Sequence, residues 1–167
     1  MKSAKAVVVI PARYASTRLH GKLILPEVKA VTGRYIIEHV YQNVRQAKRI
    51  HKVIVATDNQ LIYDIVKGFG GEVEMTSLSH TSGTDRIAEV AGRLDADIIV
   101  NVQGDEPEVN AHMIDQVIDT LVEDKETVMA TLANIIKDAT ELANPNVVKV
   151  VLDNRGYALY FSRSQIP

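Results

Sequence analysis

The feature that most limits how this chain can fold is a short run, Ala6-Val7-Val8-Val9-Ile10, which carries no polar alternation and ends at Pro11. A strand that is apolar at every position must be covered on both faces, as parallel strands are in layered α/β proteins. The pattern then recurs. Ile36, Ile37, Val40, Tyr41, Val44 and Ala47 fall at helical spacing, with Lys48 and Arg49 placed to favour a helix C-terminus. Residues 52–58 (KVIVATD) read as a second buried strand, and Leu61 to Phe69 as a short helix closed by Gly70-Gly71. A short strand over 72–75, a helix over 84–94, a strand over 97–103 and an amphipathic helix from Val109 to Val122, capped near Asn110, complete the series. Strand and helix alternating over short connections predict right-handed crossovers and an open, mostly parallel sheet with helices on both faces, a Rossmann-like α/β architecture. Ligands of such sheets bind outside the carboxyl ends of the strands.

Beyond residue 126 the rhythm changes. TVMATLANI, NVVKVVLD and YALYFS are strand-like, and Asp153-Asn154-Arg155-Gly156 between the last two is a tight-turn signal, so antiparallel pairing on one edge of a mixed sheet is expected. Asp138 to Asn146 reads as a loop, too short for a domain linker. The 167 residues, 46% of them apolar and 24% charged, suit one folded domain, residues 1–167, which ends abruptly after a strand and so reads as incomplete at its C-terminus.

Composition removes several function classes. A formal net charge of −2 provides no basic field for nucleic acid, and a tryptophan-free chain with 5% aromatics has little from which to build base-stacking platforms. With no cysteine there is no thiolate chemistry or cysteine-bound metal. The run from Val7 to Ile10 is too short for a signal peptide, and no stretch approaches the roughly 20 apolar residues of a membrane span. A cytoplasmic location, with neither membrane nor nucleic acid as partner, is the expectation.

Three segments carry candidate chemistry. Residues 11–22, directly after the first strand, bring Arg13, Arg18 and Lys22 to one loop of small residues, where cations can stabilise charge moving through a triphosphate. A basic solvated turn is the plainer reading. Residues 101–107 (NVQGDEP) offer Asp105 and Glu106 as hard oxygen ligands for Mg²⁺; Gly104-Asp105 and Glu106-Pro107 are equally turn formers. Residues 80–86 (HTSGTDR) place Ser82 and Gly83 before a helix and Arg86 in its first turns, which suits either an anion site or a simple cap with Arg86 paired to a carboxylate. Thr57-Asp58-Asn59 either meets a nucleotide or caps the following helix. His39 reads as structural, and the five histidines lack zinc spacing. Ser16 and Ser82 belong to no visible catalytic triad, and neither GxGxxG nor GxxxxGK[ST] occurs.

In this order, residues 7–22, 54–58, 80–90, 101–107, 129–133 and 144–167 resemble the 3-deoxy-manno-octulosonate cytidylyltransferases, the CMP-Kdo synthetases of lipopolysaccharide precursor synthesis. The resemblance implies Mg²⁺-dependent attack of the anomeric hydroxyl of Kdo on the α-phosphorus of CTP, giving CMP-Kdo and pyrophosphate. It implies that Arg13 and Lys22 hold phosphates, that Arg18 supports their loop, and that Ser16 donates to a phosphate oxygen. Asp105 binds Mg²⁺ on the same reading, Gln103 touches nucleotide or sugar, Ser82, Gly83 and Arg86 shape the pocket, and Ala12 offers backbone towards cytosine. A homodimer is implied for the full-length form. Two readings stand beside it: a cytidylyltransferase for another acidic sugar, and a nucleotide-binding or assembly protein without catalysis.

The chain departs from the family pattern where Leu-Pro-Gly-Lys-Pro becomes Leu19-His20-Gly21-Lys22-Leu23, which removes two restraints on the loop. Ile24 to Thr32 is longer than usual, and Arg34-Tyr35 replaces Lys-Pro. Family members also continue beyond Ser162-Arg163 into a region that supplies much of the sugar pocket, a further metal-binding aspartate and much of the dimer interface. The 167 residues alone are therefore expected to show little or no synthetase activity. Steady-state turnover of CTP and Kdo by the purified chain tests this, and family-like rates contradict it.

Overall fold

The computed structural model describes residues 4–15 and 19–166, in two compact units that divide at Ala130/Thr131. In the first unit, β1 (Ala6–Ala12), β2 (Ile50–Thr57), β3 (Val73–Met75) and β4 (Ile98–Asn101) form a parallel sheet in the order β3-β2-β1-β4. The central strand β1 pairs with both neighbours, Val8 standing opposite Val53 on one side and Val100 on the other.

The unbroken apolar run of β1 has the expected consequence: all seven of its residues are buried. Ala6, Val8, Ile10 and Ala12 face a core shared with α2 (Ile36–Val44), α3 (Gln60–Gly68) and α5 (Ala111–Glu123). Val7 and Val9 face the opposite core, closed by Ile87 and Val90 of α4 (Gly83–Ala91). The helices obey their sequence signals. Ile37, Val40, Tyr41 and Val44 make one buried stripe of α2. Asn59, Ser82 and Asn110 each accept a backbone N–H with the side chain and so cap α3, α4 and α5.

Arg86 of α4 is fully buried. Its Nη2 donates to Asp58 Oδ2 at 2.6 Å and its Nη1 to Thr76 Oγ1, while Nε has no partner among the described residues. Thr76 in turn donates from its backbone N–H and its hydroxyl to the Thr57 carbonyl, at 2.8 and 3.1 Å. One guanidinium thus ties α4 to the carboxyl ends of β2 and β3.

Several boundaries differ from the sequence expectation. α2 stops at Val44, short of Lys48 and Arg49, whose backbone N–H groups donate to the Asp115 carboxylate. A local carboxylate, rather than the helix dipole, satisfies this turn. The long segment after residue 24 contains a helix the periodicity did not reveal, α1 (Pro26–Thr32), because it buries no residue and so has no apolar stripe. His39 lies next to it, its Nε2 2.9 Å from Thr32 Oγ1.

In the second unit, α6 (Ala139–Ala143) occupies the segment read as a loop, capped by Asp138. β5 (Lys149–Leu152) and β6 (Ala158–Ser162) form the expected antiparallel pair around the Asp153–Gly156 turn, with Gly156 at φ 87°. They make a two-stranded sheet of their own instead of an edge of the larger sheet, and residues 127–135 form no strand. β-propensity alone makes no strand without a neighbouring ladder, and Val128 and Ile135 are exposed. Lys149 is buried, its ammonium donating to the carbonyls of Asn144, Val147 and Arg163 at 2.8–2.9 Å.

Because β1 is covered on both faces, Val8→Ala and Val9→Ala are both expected to destabilise the fold, each by about 1–3 kcal/mol in urea unfolding. A tolerant response at either position contradicts two-sided burial. Arg86→Met leaves Asp58 without its charge partner and is expected to cost about 3–5 kcal/mol in the same measurement.

Candidate functional site

The strand order reverses at β1: successive crossovers run to β2 and β3 on one side, and the chain then returns to place β4 on the other. A switch of this kind opens a crevice at the carboxyl ends of the two diverging strands. Segments singled out in the sequence leave the sheet at that edge, residues 13–15 directly after β1 and residues 102–107 after β4.

Lys22 and Asp105, 83 residues apart, meet there, with Nζ 2.9 Å from Oδ2 and both side chains nearly half exposed. The approach is built into the backbone. Val102 N–H donates to the Val9 carbonyl, and the buried Gly104 packs so closely under β1 that an added Cβ would lie 3.0 Å from the Pro11 carbonyl oxygen. Only a residue without a side chain brings Asp105 this near to β1. Lys22 is fixed from its own side. Gly21, at φ 67°, donates to the Tyr14 carbonyl at 2.9 Å and accepts from Ile24 N–H, while Leu23 and Ile24 are buried. The loop base is thus closed by a left-handed glycine and two apolar anchors, one of which, Leu23, stands at a proline position of the family pattern.

Arg13, exposed just past β1, donates from Nη1 to the Thr81 carbonyl at 3.0 Å. Gln103 is exposed beside Asp105 and donates to Asn101 Oδ1 at 3.0 Å. Ala12 is buried at the end of β1, opposite Thr57. The Ser82 hydroxyl accepts from Asp85 N–H at 3.1 Å and donates to the Asp85 carboxylate, so it is engaged as a cap, and Gly83 rests 3.3 Å from the Pro11 ring as measured from an added Cβ. Arg86 is not at the surface of this edge; its guanidinium lies in the interior against Asp58, the cap-and-carboxylate arrangement weighed in the sequence. Asn59, likewise, caps α3. Ser16 and Arg18 lie outside the described residues.

The structure therefore joins Lys22 to Asp105 past the carboxyl ends of β1 and β4, with Gln103 two residues before Asp105, directs Arg13 to the Thr81 carbonyl and sends Arg86 inward. Sequence reading did not single out Thr81, whose carbonyl accepts from Arg13, or Glu89, whose carboxylate accepts from Ser77 N–H. Among the described residues, no three His, Asp or Glu side chains converge to hold a metal ion. No helix is long and apolar enough to cross a membrane among these residues.

Residues 7–167 match a cytidylyltransferase family model. The 3-deoxy-manno-octulosonate cytidylyltransferases of Geotalea daltonii and Geotalea uraniireducens are 53% and 52% identical over 163 residues, 98% of this chain and 63% of theirs. A solved CMP:2-keto-3-deoxy-manno-octonic acid synthetase complexed with CTP superposes with a TM-score of 0.92 at 44% identity, over 98% of this chain and 66% of that one. The chain spans about 63% of the length of these curated relatives. With the family model, the sequence identity and the superposed fold in agreement over nearly its whole length, the chain belongs to the cytidylyltransferase family.

Proposed function

We propose that the crevice between the carboxyl ends of β1 and β4 binds the triphosphate of CTP, and that the protein transfers CMP from CTP to the anomeric hydroxyl of 3-deoxy-manno-octulosonate, releasing pyrophosphate. The observation that carries this reading is the meeting of Lys22 and Asp105 at the sheet's switch point, with Arg13 the first residue past the end of β1. The names of the 53% identical relative and of the CTP-bound synthetase support the choice of nucleotide and sugar.

In this reaction the sugar hydroxyl attacks the α-phosphorus, the bond from that phosphorus to the bridging oxygen breaks, and negative charge builds on departing pyrophosphate. Arg13 and Lys22 are the groups that neutralise it. Their work is to position and to stabilise charge, and no protein nucleophile is needed. Lys22 is free to exchange partners, because an exposed ion pair contributes only about 0–1 kcal/mol and a phosphate offers a denser charge. Gln103 and Asn101, exposed beside Asp105, are placed to donate to or accept from nucleotide or sugar hydroxyls. The single carboxylate of Asp105 fits a hard cation that keeps waters and takes its other ligands from phosphate, and it does not fit a closed protein cage. Mg²⁺ held by Asp105 would supply charge neutralisation on the phosphate oxygens.

Arg13→Ala and Lys22→Ala are each expected to weaken CTP binding about ten- to a hundredfold, as loss of a charge-assisted phosphate contact does. Asp105→Asn is expected to spare binding of metal-free CTP while removing the gain that Mg²⁺ confers. Calorimetric titration with and without Mg²⁺ reads all three, and wild-type affinities in the variants contradict the assignment. Pyrophosphate release from CTP and Mg²⁺, assayed with Kdo and with other acidic sugars, tests the sugar. Release that is independent of Kdo contradicts the proposed acceptor.

A further inference from the structure

Arg13 is exposed, and among the described residues its guanidinium donates to a backbone carbonyl, Thr81, in the stretch between β3 and α4. A carbonyl can aim an arginine only if its own segment is held. Thr76 and Ser82, at the two ends of this stretch, are fixed by the Thr57 carbonyl and Arg86 and by the α4 cap. Residues 77–81 between them are neither helix nor strand.

One side chain gathers that interval. Glu89 of α4 accepts from Ser77 N–H at 2.9 Å and lies 2.6 Å from His80 Nε2, both through Oε2, while its Oε1 accepts from Arg93. Ser77 Oγ then accepts from Ser79 N–H at 3.1 Å, which extends the tether along the segment. The Ser77 N–H first, then His80, with Arg93 adding to them, holds the Glu89 carboxyl below the usual carboxylate range, so it stays ionised at neutral pH. His80 is the residue next to Thr81, so this carboxylate fixes the chain one residue away from the carbonyl on which Arg13 rests.

We propose that Glu89 is a positioning residue for nucleotide binding, holding the 77–81 segment against α4 so that the Thr81 carbonyl aims Arg13 into the crevice. This rests on the assignment of Arg13 to the triphosphate. Glu89 touches no substrate in this scheme; its effect passes through Arg13 alone.

A double-mutant cycle on CTP affinity, measured by calorimetry at neutral pH, separates this role from a general contribution to stability. Glu89→Ala is expected to weaken CTP binding about five- to tenfold, the loss of a factor near 1–1.4 kcal/mol. The isosteric Glu89→Gln, which keeps an acceptor for Ser77 N–H, is expected to lose less. In an Arg13→Ala background the Glu89→Ala change is expected to have no further effect. Equal losses in both backgrounds, or unchanged affinity for Glu89→Ala and Glu89→Gln where Arg13→Ala binds poorly, overturn the positioning role. Full affinity in Arg13→Ala itself overturns the triphosphate assignment, and this proposal with it.

Discussion

Burial of β1 on both faces is the constraint from which the remaining structure follows. With a β-branched or small side chain at nearly every position, the strand has no polar face to give to water, so it must lie in the middle of a sheet with helices above and below. Once it is central, the crossovers can lead to one side first and to the other later, and the order β3-β2-β1-β4 contains a reversal beside it. The crevice is a consequence of that reversal. The same hydrophobic pattern that drives folding therefore decides where exposed charges after β1 and β4 come together.

The second level of organisation is polar and interior. Arg86 joins α4 to the ends of β2 and β3 through Asp58 and Thr76, and it does so at full burial, with Nε unpartnered among the described residues. An arrangement of this kind contributes little net stability over an apolar equivalent, since desolvation offsets much of the Coulombic attraction, yet it is costly to break. Its value lies in geometry: the guanidinium fork fixes the heights of two strand ends relative to a helix whose first turn packs on Pro11. The exposed ion pair of Lys22 and Asp105 is the opposite case, inexpensive to open and therefore suited to exchange with a ligand.

Much of this was legible in the residues. The four parallel strands, the caps at Asn59, Ser82 and Asn110, and the hairpin around Gly156 all rest on local signals, namely apolar runs, side-chain acceptors and a left-handed glycine. What escaped has physical reasons. α1 buries nothing, so it leaves no stripe to read. Residues 127–135 have strand-like composition, but a strand is a property of two segments and is not carried by one. At the site, the charged loops were visible because cations and carboxylates advertise themselves. Arg86 paired to a carboxylate was one of the two readings of residues 80–86 and is the one the structure takes; helical spacing alone did not reveal that the pair is interior. Gly104 read as a turn former, whereas its lack of a side chain also sets how near Asp105 comes to β1.

The central claim is spatial: nucleotide binds where the carboxyl ends of β1 and β4 diverge. Backbone amide NMR during titration with CTP and Mg²⁺ addresses it most directly, because it reports location independently of catalysis. The largest shifts are expected at Arg13, Tyr14, Gly21, Lys22 and Gly104 to Glu106, with smaller ones at Thr81. Shifts centred on the cavity of about 310 Å³ lined by Tyr41, Lys52, His51 and Glu72, or spread evenly over the surface, would contradict it.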